Sequence, residues 1–443
     1  MFVFSRRTLQ ALINALHGVV SDDQLQRMVD RLNTPGLDRI SASWELVWIS
    51  ALQSIGTVQH EKELPDGRKP DVDFSDTGSP DIRFIADVTA ISDIGIEEAN
   101  PVRVLSEEIV RFARRSGLPP NSFGYSVEAR RDGRTGDRKT ILLLPKKGEI
   151  IAVLKTRLPQ FMREILDNNP QHHTVAFHSE TYRFSVSYNA RQMYMTGSFP
   201  SYSVPDSVQK NPLWNGLRMK AQQLKSAASV APTGIIVCDG GCALMRQESY
   251  VAHGTVTASQ VVQEFLRQHT SVSFVTLLRV QRENPMAFHS MMQGRLIVRP
   301  EIFIRDESAA LIAISERIKR ASLAIPQATL DPLNASIRCF SDDYGFGNFG
   351  AYQMSGNTIR IPSRTLQDFL AGRRTVADLN EANRWHSGDA HEGGLMNPFE
   401  RFRLNGQMIT NIEVVRGDDD DDWVTITFGA PDPAISPFRR TPG

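Results

Sequence analysis

The sequence predicts an α/β fold, and three observations carry that prediction. Apolar residues recur at helical spacing up to Ile55, three short β-like runs cut by turn-forming segments follow, and helical and strand-like runs then alternate to about residue 304. The expected order is helix, three strands, helix, strand. The expected organisation is an N-terminal helical hairpin over 1–38, an α/β core over 39–330 with a large insertion at about 93–209, and a small C-terminal α+β domain over 331–443.

The hairpin is read from Leu9, Leu12, Ile13, Leu16, Val19 and Val20, then from Leu25, Met28, Val29 and Leu32 after the restart at Ser21-Asp-Asp. A third helix, Ser41 to Ile55, carries Trp44, Leu46, Val47, Ile49 and Leu52, with Glu45 as its one carboxylate, and Gly56 ends it. Strands are expected over Thr57 to Glu63, Pro70 to Phe74 and Ile82 to Ala90, separated by "LPDGRK" and "SDTGSP". Within the insertion, helices are expected over Pro101 to Ser116 and Glu149 to Leu166, and an antiparallel hairpin over Tyr182 to Ser203, where aromatic and polar residues alternate. The basic stretch "NPLWNGLRMKAQQLKSAA" reads as a helix, "TGIIVCDGG" as a buried strand, and helix Ala258 to His269 with "SVSFVTLLRV" and "RLIVRPEIFI" completes the core. From about Asp331 the chain turns glycine-rich and then helical, and its tail carries the acidic run Asp418 to Asp422.

With 443 residues, 41% hydrophobic and 23% charged, the chain is long enough to bury two or three cores. Fifty basic residues balance fifty acidic ones, so any polyanion must be bound by a local patch. Three cysteines are too few for a disulfide framework and fit a reduced, cytoplasmic setting. No window is long and apolar enough to span a bilayer, so no membrane partner is expected. Cys238 and Cys242 lack a nearby histidine pair, and "GRTGDRKT" lacks phosphate-loop spacing, so neither zinc nor ATP is expected.

The stretch "KPDVDFSDTGSPDIRFIADVTAIS" places five aspartates in two strands and the turn between them. Like charges so close are costly unless a cation neutralises them, and carboxylates from two strands and a neighbouring helix are a usual means of holding Mg²⁺ (or Mn²⁺). Such an ion can polarise a phosphoryl oxygen and orient an attacking water.

Glu45 on a helix, Pro70-Asp71-Val72-Asp73 on a strand and Asp87-Val88-Thr89 on the next resembles the restriction-endonuclease-like PD-(D/E)XK nuclease superfamily. The resemblance implies a core of helix, three strands, helix and strand, and a Mg²⁺-dependent endonuclease that hydrolyses DNA phosphodiesters, with RNA left open. Glu45, Asp73 or Asp71, and Asp87 take the metal-ligating positions. Alternation puts Asp71 and Asp73 on one side, and Asp73, deeper in the strand, has the stronger claim, with Asp71, directly after the proline, left open.

Thr89 departs from the family pattern, because a hydroxyl cannot supply the charge of the expected lysine. In this superfamily that lysine can migrate to the next core helix, and Lys220, with Gln223 one turn on, is the expected substitute. The insertion carries Arg130, Arg131, Arg134, Arg138 and Lys139, a local surplus suited to a phosphate backbone. The setting implied is bacterial defence or repair, with a protein partner or self-association compatible with it. The alternative is a catalytically inactive nuclease-like module that binds nucleic acid or, through "IPSRTLQDFLAGRR", another protein.

Overall fold

The computed structural model describes the chain apart from residues 1, 134–138, 193, 203–206, 247–255, 284–294, 341–352, 384, 387–394, 418–421, 433 and 436–443. The expected Arg134, Arg138, the glycine-rich segment near 342–350 and most of the acidic run therefore lie outside the described residues. Leu9–Phe340 with Phe2–Phe4 forms one compact unit, and Ser341–Gly443 with Ser5–Thr8 forms another.

The larger unit is mixed α/β. Helices α1 (Arg6–Leu16) and α2 (Asp22–Asn33) precede α3 (Asp38–Gln53), and a capping box between Ser21 and Gln24 starts α2. Helix α3 is buried on nearly every side, as its continuous apolar composition requires. Strands β1 (Gly56–Gln59), β2 (Val72–Asp76) and β3 (Arg83–Ile91) follow as an antiparallel meander.

The chain then leaves the sheet. Helices α4 (Ile94–Ala99) and α5 (Val102–Arg115) lead to strands β4 (Phe123–Val127), β5 (Ala129–Asp132) and β6 (Lys139–Leu142). The helix expected over Glu149 to Leu166 is two, α6 (Ile150–Lys155) and α7 (Leu158–Asn168). Pro159 sits in the first turn of α7, where it lacks the N–H that a continuous helix would need. Strands β7 (His172–His178), β8 (Arg183–Asn189) and β9 (Thr196–Ser198) make, with β4, a sheet of order β7-β8-β4-β9. The antiparallel hairpin is thus β7–β8, with its turn at 179–182, and β9 instead lies parallel to β4. Leu105, Ile109, Phe123, Phe161 and Val186 give the insertion its own core.

The chain rejoins the main sheet through α8 (Pro212–Gln223) and β10 (Thr233–Asp239). Helices α9 (Ala243–Arg246) and α10 (Ala258–Gln268) precede β11 (Phe274–Arg282) and β12 (Leu296–Ile304). The six strands order as β1-β2-β3-β10-β11-β12, with β3, β10 and β11 parallel and both flanks antiparallel. Every residue of β10 is buried, as expected for the centre of a covered parallel segment. Pro300 is tolerated because β12 is an edge strand. Helices α11 (Ala309–Ser322) and α12 (Pro332–Arg338) close the unit, which runs past the expected 331 because Asp331 caps α12 and the Cys339 carbonyl accepts from Gly36 N–H.

The smaller unit contains β13 (Gln353–Ser355), β14 (Thr358–Pro362), α13 (Ser363–Leu370), α14 (Val376–Asn383), β15 (Trp385–His386), β16 (Leu395–Met396), α15 (Pro398–Leu404), β17 (Ile409–Val415) and β18 (Trp423–Phe428). Its main sheet, β13-β14-β18-β17, buries Ile359, Ile361, Val424, Ile426 and Phe428 against Phe402 of α15. Among the described residues no helix is long and apolar enough to cross a membrane.

Candidate active site

The register of β2 on β3, with Val72 opposite Ala86, brings Asp71 level with Asp87. The two residues are locked to one another. Asp71 N–H donates to Asp87 Oδ1 at 3.1 Å, and Asp71 Oδ2 accepts from Val88 N–H at 2.7 Å.

Helix α8 delivers the third member. Asn211 caps it by accepting from Trp214 N–H, Pro212 occupies its first turn, and Leu213, Leu217 and Ala221 bury one face against the sheet. Lys220 borders that face. Its Nζ lies 3.4 Å from Asp71 Oδ2 and 3.9 Å from Asp87 Oδ2.

Burial governs the electrostatics. Asp87 is only 2% exposed and its Oδ2 has no hydrogen-bond partner. Desolvation pushes its carboxyl up to about 6; Lys220 opposes that shift, and Asp71 and Glu45 add to it. Burial alone would lower the Lys220 amine, but Asp71 and Asp87 hold it above its ordinary value, so it stays charged at neutral pH.

Glu45 of α3 belongs to the same field. Desolvation first, and Asp71 second, raise its carboxyl. It is held by Arg31 of α2, whose Nη1 donates to Glu45 Oε2 at 2.7 Å, and His60 Nε2 stands 3.5 Å from Oε1. Arg31 also grips Asp38 through Nε and Nη2, both at 2.9 Å. Sequence reasoning missed Arg31 and His60, because only the packing of α2 on α3 and the chain turn after β1 bring them to the acids.

Asp73, preferred as a ligand for its depth in the strand, is corrected by the structure. Arg83 donates to both its oxygens at 2.9 and 2.7 Å, and Lys62 Nζ lies 3.1 Å away. Burial alone would raise this carboxyl, yet Arg83 and Lys62 hold it below the ordinary carboxylate range. Alternation does put Asp71 and Asp73 on one face, but a two-residue step is about 6.6 Å along a strand, enough to hand Asp73 to a different cation. Asp71 is the residue at the meeting point.

Gln223 is not brought to the carboxylates by any described contact. It is the exposed last residue of α8, roughly 60° further from the buried face than Lys220, and its backbone carbonyl accepts from Arg68. Thr89 follows two residues after Asp87 on β3 and contributes no charge. Arg130 and Arg131 are exposed on the β5–β6 hairpin, and Lys139 opens β6.

Among the described residues no group of three or more His, Cys, Asp or Glu is arranged to hold a metal ion. The donor chemistry nevertheless fits a two-carboxylate site. Asp87 Oδ2 is buried and unbonded, Asp71 lies beside it, and Mg²⁺ is commonly held by one or two carboxylates with water and phosphate completing its shell. Glu45, engaged by Arg31, acts on that pair through its charge. Compared with protein-family models, curated proteins and solved structures, the chain has no significant match.

Proposed function

We propose that this protein is a metal-dependent endonuclease that hydrolyses DNA phosphodiester bonds in the manner of the PD-(D/E)XK superfamily. The observation that carries the reading is the convergence of Asp71 from the entry to β2, Asp87 from the adjacent strand β3, and Lys220 from a helix beyond a long insertion.

Asp71 and Asp87 would hold Mg²⁺ or Mn²⁺, which when bound supplies polarisation of a phosphoryl oxygen and orientation of a water. Lys220, kept charged by the two acids, sets positive charge where the attacked phosphate becomes more negative, the role that Thr89 cannot fill. Glu45 adds negative potential to the site while Arg31 restrains it. Arg130 and Arg131 would bind the DNA backbone without reading bases.

A second reading, a module that binds DNA without cutting it, is favoured by the hold of Arg31 on Glu45 and by the absence, among the described residues, of a group of three acidic, histidine or cysteine side chains arranged for a metal. One experiment separates the two. Supercoiled plasmid is incubated with the full chain and Mg²⁺ or Mn²⁺, alongside Asp87→Asn and Lys220→Ala. The nuclease reading expects nicking by the wild type, lost in both variants. Nicking that persists in Asp87→Asn removes the site, and DNA retention without nicking by the wild type leaves the binding module.

A further inference from the structure

Asp71 stands one residue ahead of β2, outside the strand ladder, yet all three of its polar groups are engaged. Its N–H and carboxylate bond to Asp87 and Val88 of β3, and its carbonyl accepts from His60 Nδ1 at 2.8 Å. His60 directly follows β1, so the third bond ties Asp71 to a different strand from the first two.

The ring is positioned on both sides. A carbonyl oxygen only accepts, so Nδ1 carries a hydrogen, and this orientation turns Nε2 toward Glu45 Oε1 at 3.5 Å. The imidazole is buried, and the His60 carbonyl accepts from Gln24 Nε2 of α2 at 2.7 Å. The next residue, Glu61, has a φ of 47°, in the left-handed region that disfavours L side chains, and Arg27 of α2 pairs with its carboxylate. The turn that presents His60 is therefore anchored to α2 at two consecutive residues.

We propose that His60 is a positioning residue of the carboxylate site, fixing the Asp71 backbone through its Nδ1 hydrogen bond, with its Nε2 facing the Glu45 carboxyl at 3.5 Å. The proposal rests on Asp71 and Asp87 being the metal ligands. It assigns the N-terminal helix α2 a part in the site, since α2 holds His60 through Gln24 and Glu45 through Arg31. A partner that orients a ligand in this way is commonly worth about 10- to 100-fold in metal affinity.

The test uses the full chain and Mn²⁺ alone, with binding followed by electron paramagnetic resonance for wild type, His60→Ala, His60→Asn, His60→Gln and Asp87→Asn, and with thermal unfolding measured on each. An asparagine amide nitrogen falls near the place of Nδ1, and a glutamine amide nitrogen near that of Nε2. The expected result is a loss of about 10- to 100-fold in His60→Ala, recovered largely by His60→Asn and not by His60→Gln. A merely structural role moves the two amide variants together with the unfolding temperature, and that outcome overturns the proposal. Wild-type affinity in His60→Ala overturns it as well, while the loss in Asp87→Asn leaves the ligand reading standing. If the wild type binds no Mn²⁺, the ligand reading fails and this proposal fails with it.

Discussion

Lys220 Nζ sits 3.4 Å from Asp71 Oδ2 across a sequence separation of 149 residues, and 3.9 Å from Asp87 Oδ2. One ammonium therefore offsets two carboxylates, the buried Asp87 and the half-buried Asp71. Lys220→Met keeps the shape of the stem and removes the charge, leaving two like charges facing one another in a partly desolvated site. The expected cost is about 2–4 kcal/mol of stability, read from denaturant unfolding. Adding Asp87→Asn removes one of the repelling charges, so the double variant should show a coupling of about 1–3 kcal/mol. Strict additivity would mean that Lys220 is not energetically joined to Asp87. In the proposed nuclease, the single variant should also cut about 10²- to 10³-fold more slowly.

Asp73 supplies the contrast. Its two bonds from Arg83 and its contact with Lys62 are structural, and Asp73→Asn should cost about 1–3 kcal/mol of stability through lost charge-assisted bonds. Plasmid nicking per folded molecule should be unchanged, whereas Asp71→Asn should abolish it. The reverse pattern would restore Asp73 to the site.

The mixed α/β class was legible because helical and strand periods alternate plainly along the chain, and because turn segments such as "SDTGSP" separate the acidic strands, although β2 runs on through Ser75 and Asp76 of that segment. The placement of Lys220 beside Asp71 and Asp87 was legible for a narrower reason: the resemblance calls for a lysine where Thr89 stands, and α8 is the basic helix that leads into the buried strand β10. The choice between Asp71 and Asp73 was not legible. Alternation fixes the face of a strand but not the level along it, and the level depends on which β3 residue stands opposite, a property of register. Arg31 and His60 were invisible because they act through contacts between elements that no local pattern encodes. The split of α6 from α7 could have been read from Pro159.

Asp239, at the end of β10, has no exposure, and its Oδ2 has no hydrogen-bond partner. Desolvation, opposed by the Gly241 N–H bond and Arg246 and reinforced by Asp331, pushes its carboxyl from 3.8 up to about 7. A raised carboxyl pKa means that the folded state binds the proton more tightly than the unfolded chain. This group therefore favours folding at low pH, and its contribution falls as pH rises from about 4 to about 7, by roughly a few kcal/mol. Asp87, raised to about 6, acts in the same direction over the lower part of that window. Thermal unfolding at pH 5 and pH 8 should show Asp239→Asn flattening the wild-type fall. An unchanged slope in that variant would show that Asp239 is not the group responsible.

Gly234 in β10 is required by a close approach. A Cβ there would lie 2.0 Å from Cζ of Phe274, its partner on β11, which is fully buried and meets Phe84 edge-on at 5.4 Å. Gly234→Ala should therefore force the ring out of place and cost about 1–3 kcal/mol. Phe274→Leu, costly alone, should cost less on the Gly234→Ala background. Equal costs on both backgrounds would show that the ring is not what excludes a side chain at 234.

Arg130 and Arg131 are exposed on the antiparallel hairpin β5–β6, within an insertion whose core, centred on Leu105, Phe123 and Phe161, does not depend on them. Replacing both with glutamate should leave the unfolding temperature unchanged. If these side chains neutralise two phosphates, the slope of log affinity against log salt should become shallower by about 2 for duplex DNA, with similar losses on unrelated sequences. Mn²⁺ binding at Asp71 and Asp87 should be untouched, since neither arginine has a described contact with those acids. An unchanged salt slope would move the DNA-binding surface away from this hairpin, and a loss confined to one sequence would mean that the hairpin reads bases instead of following the backbone.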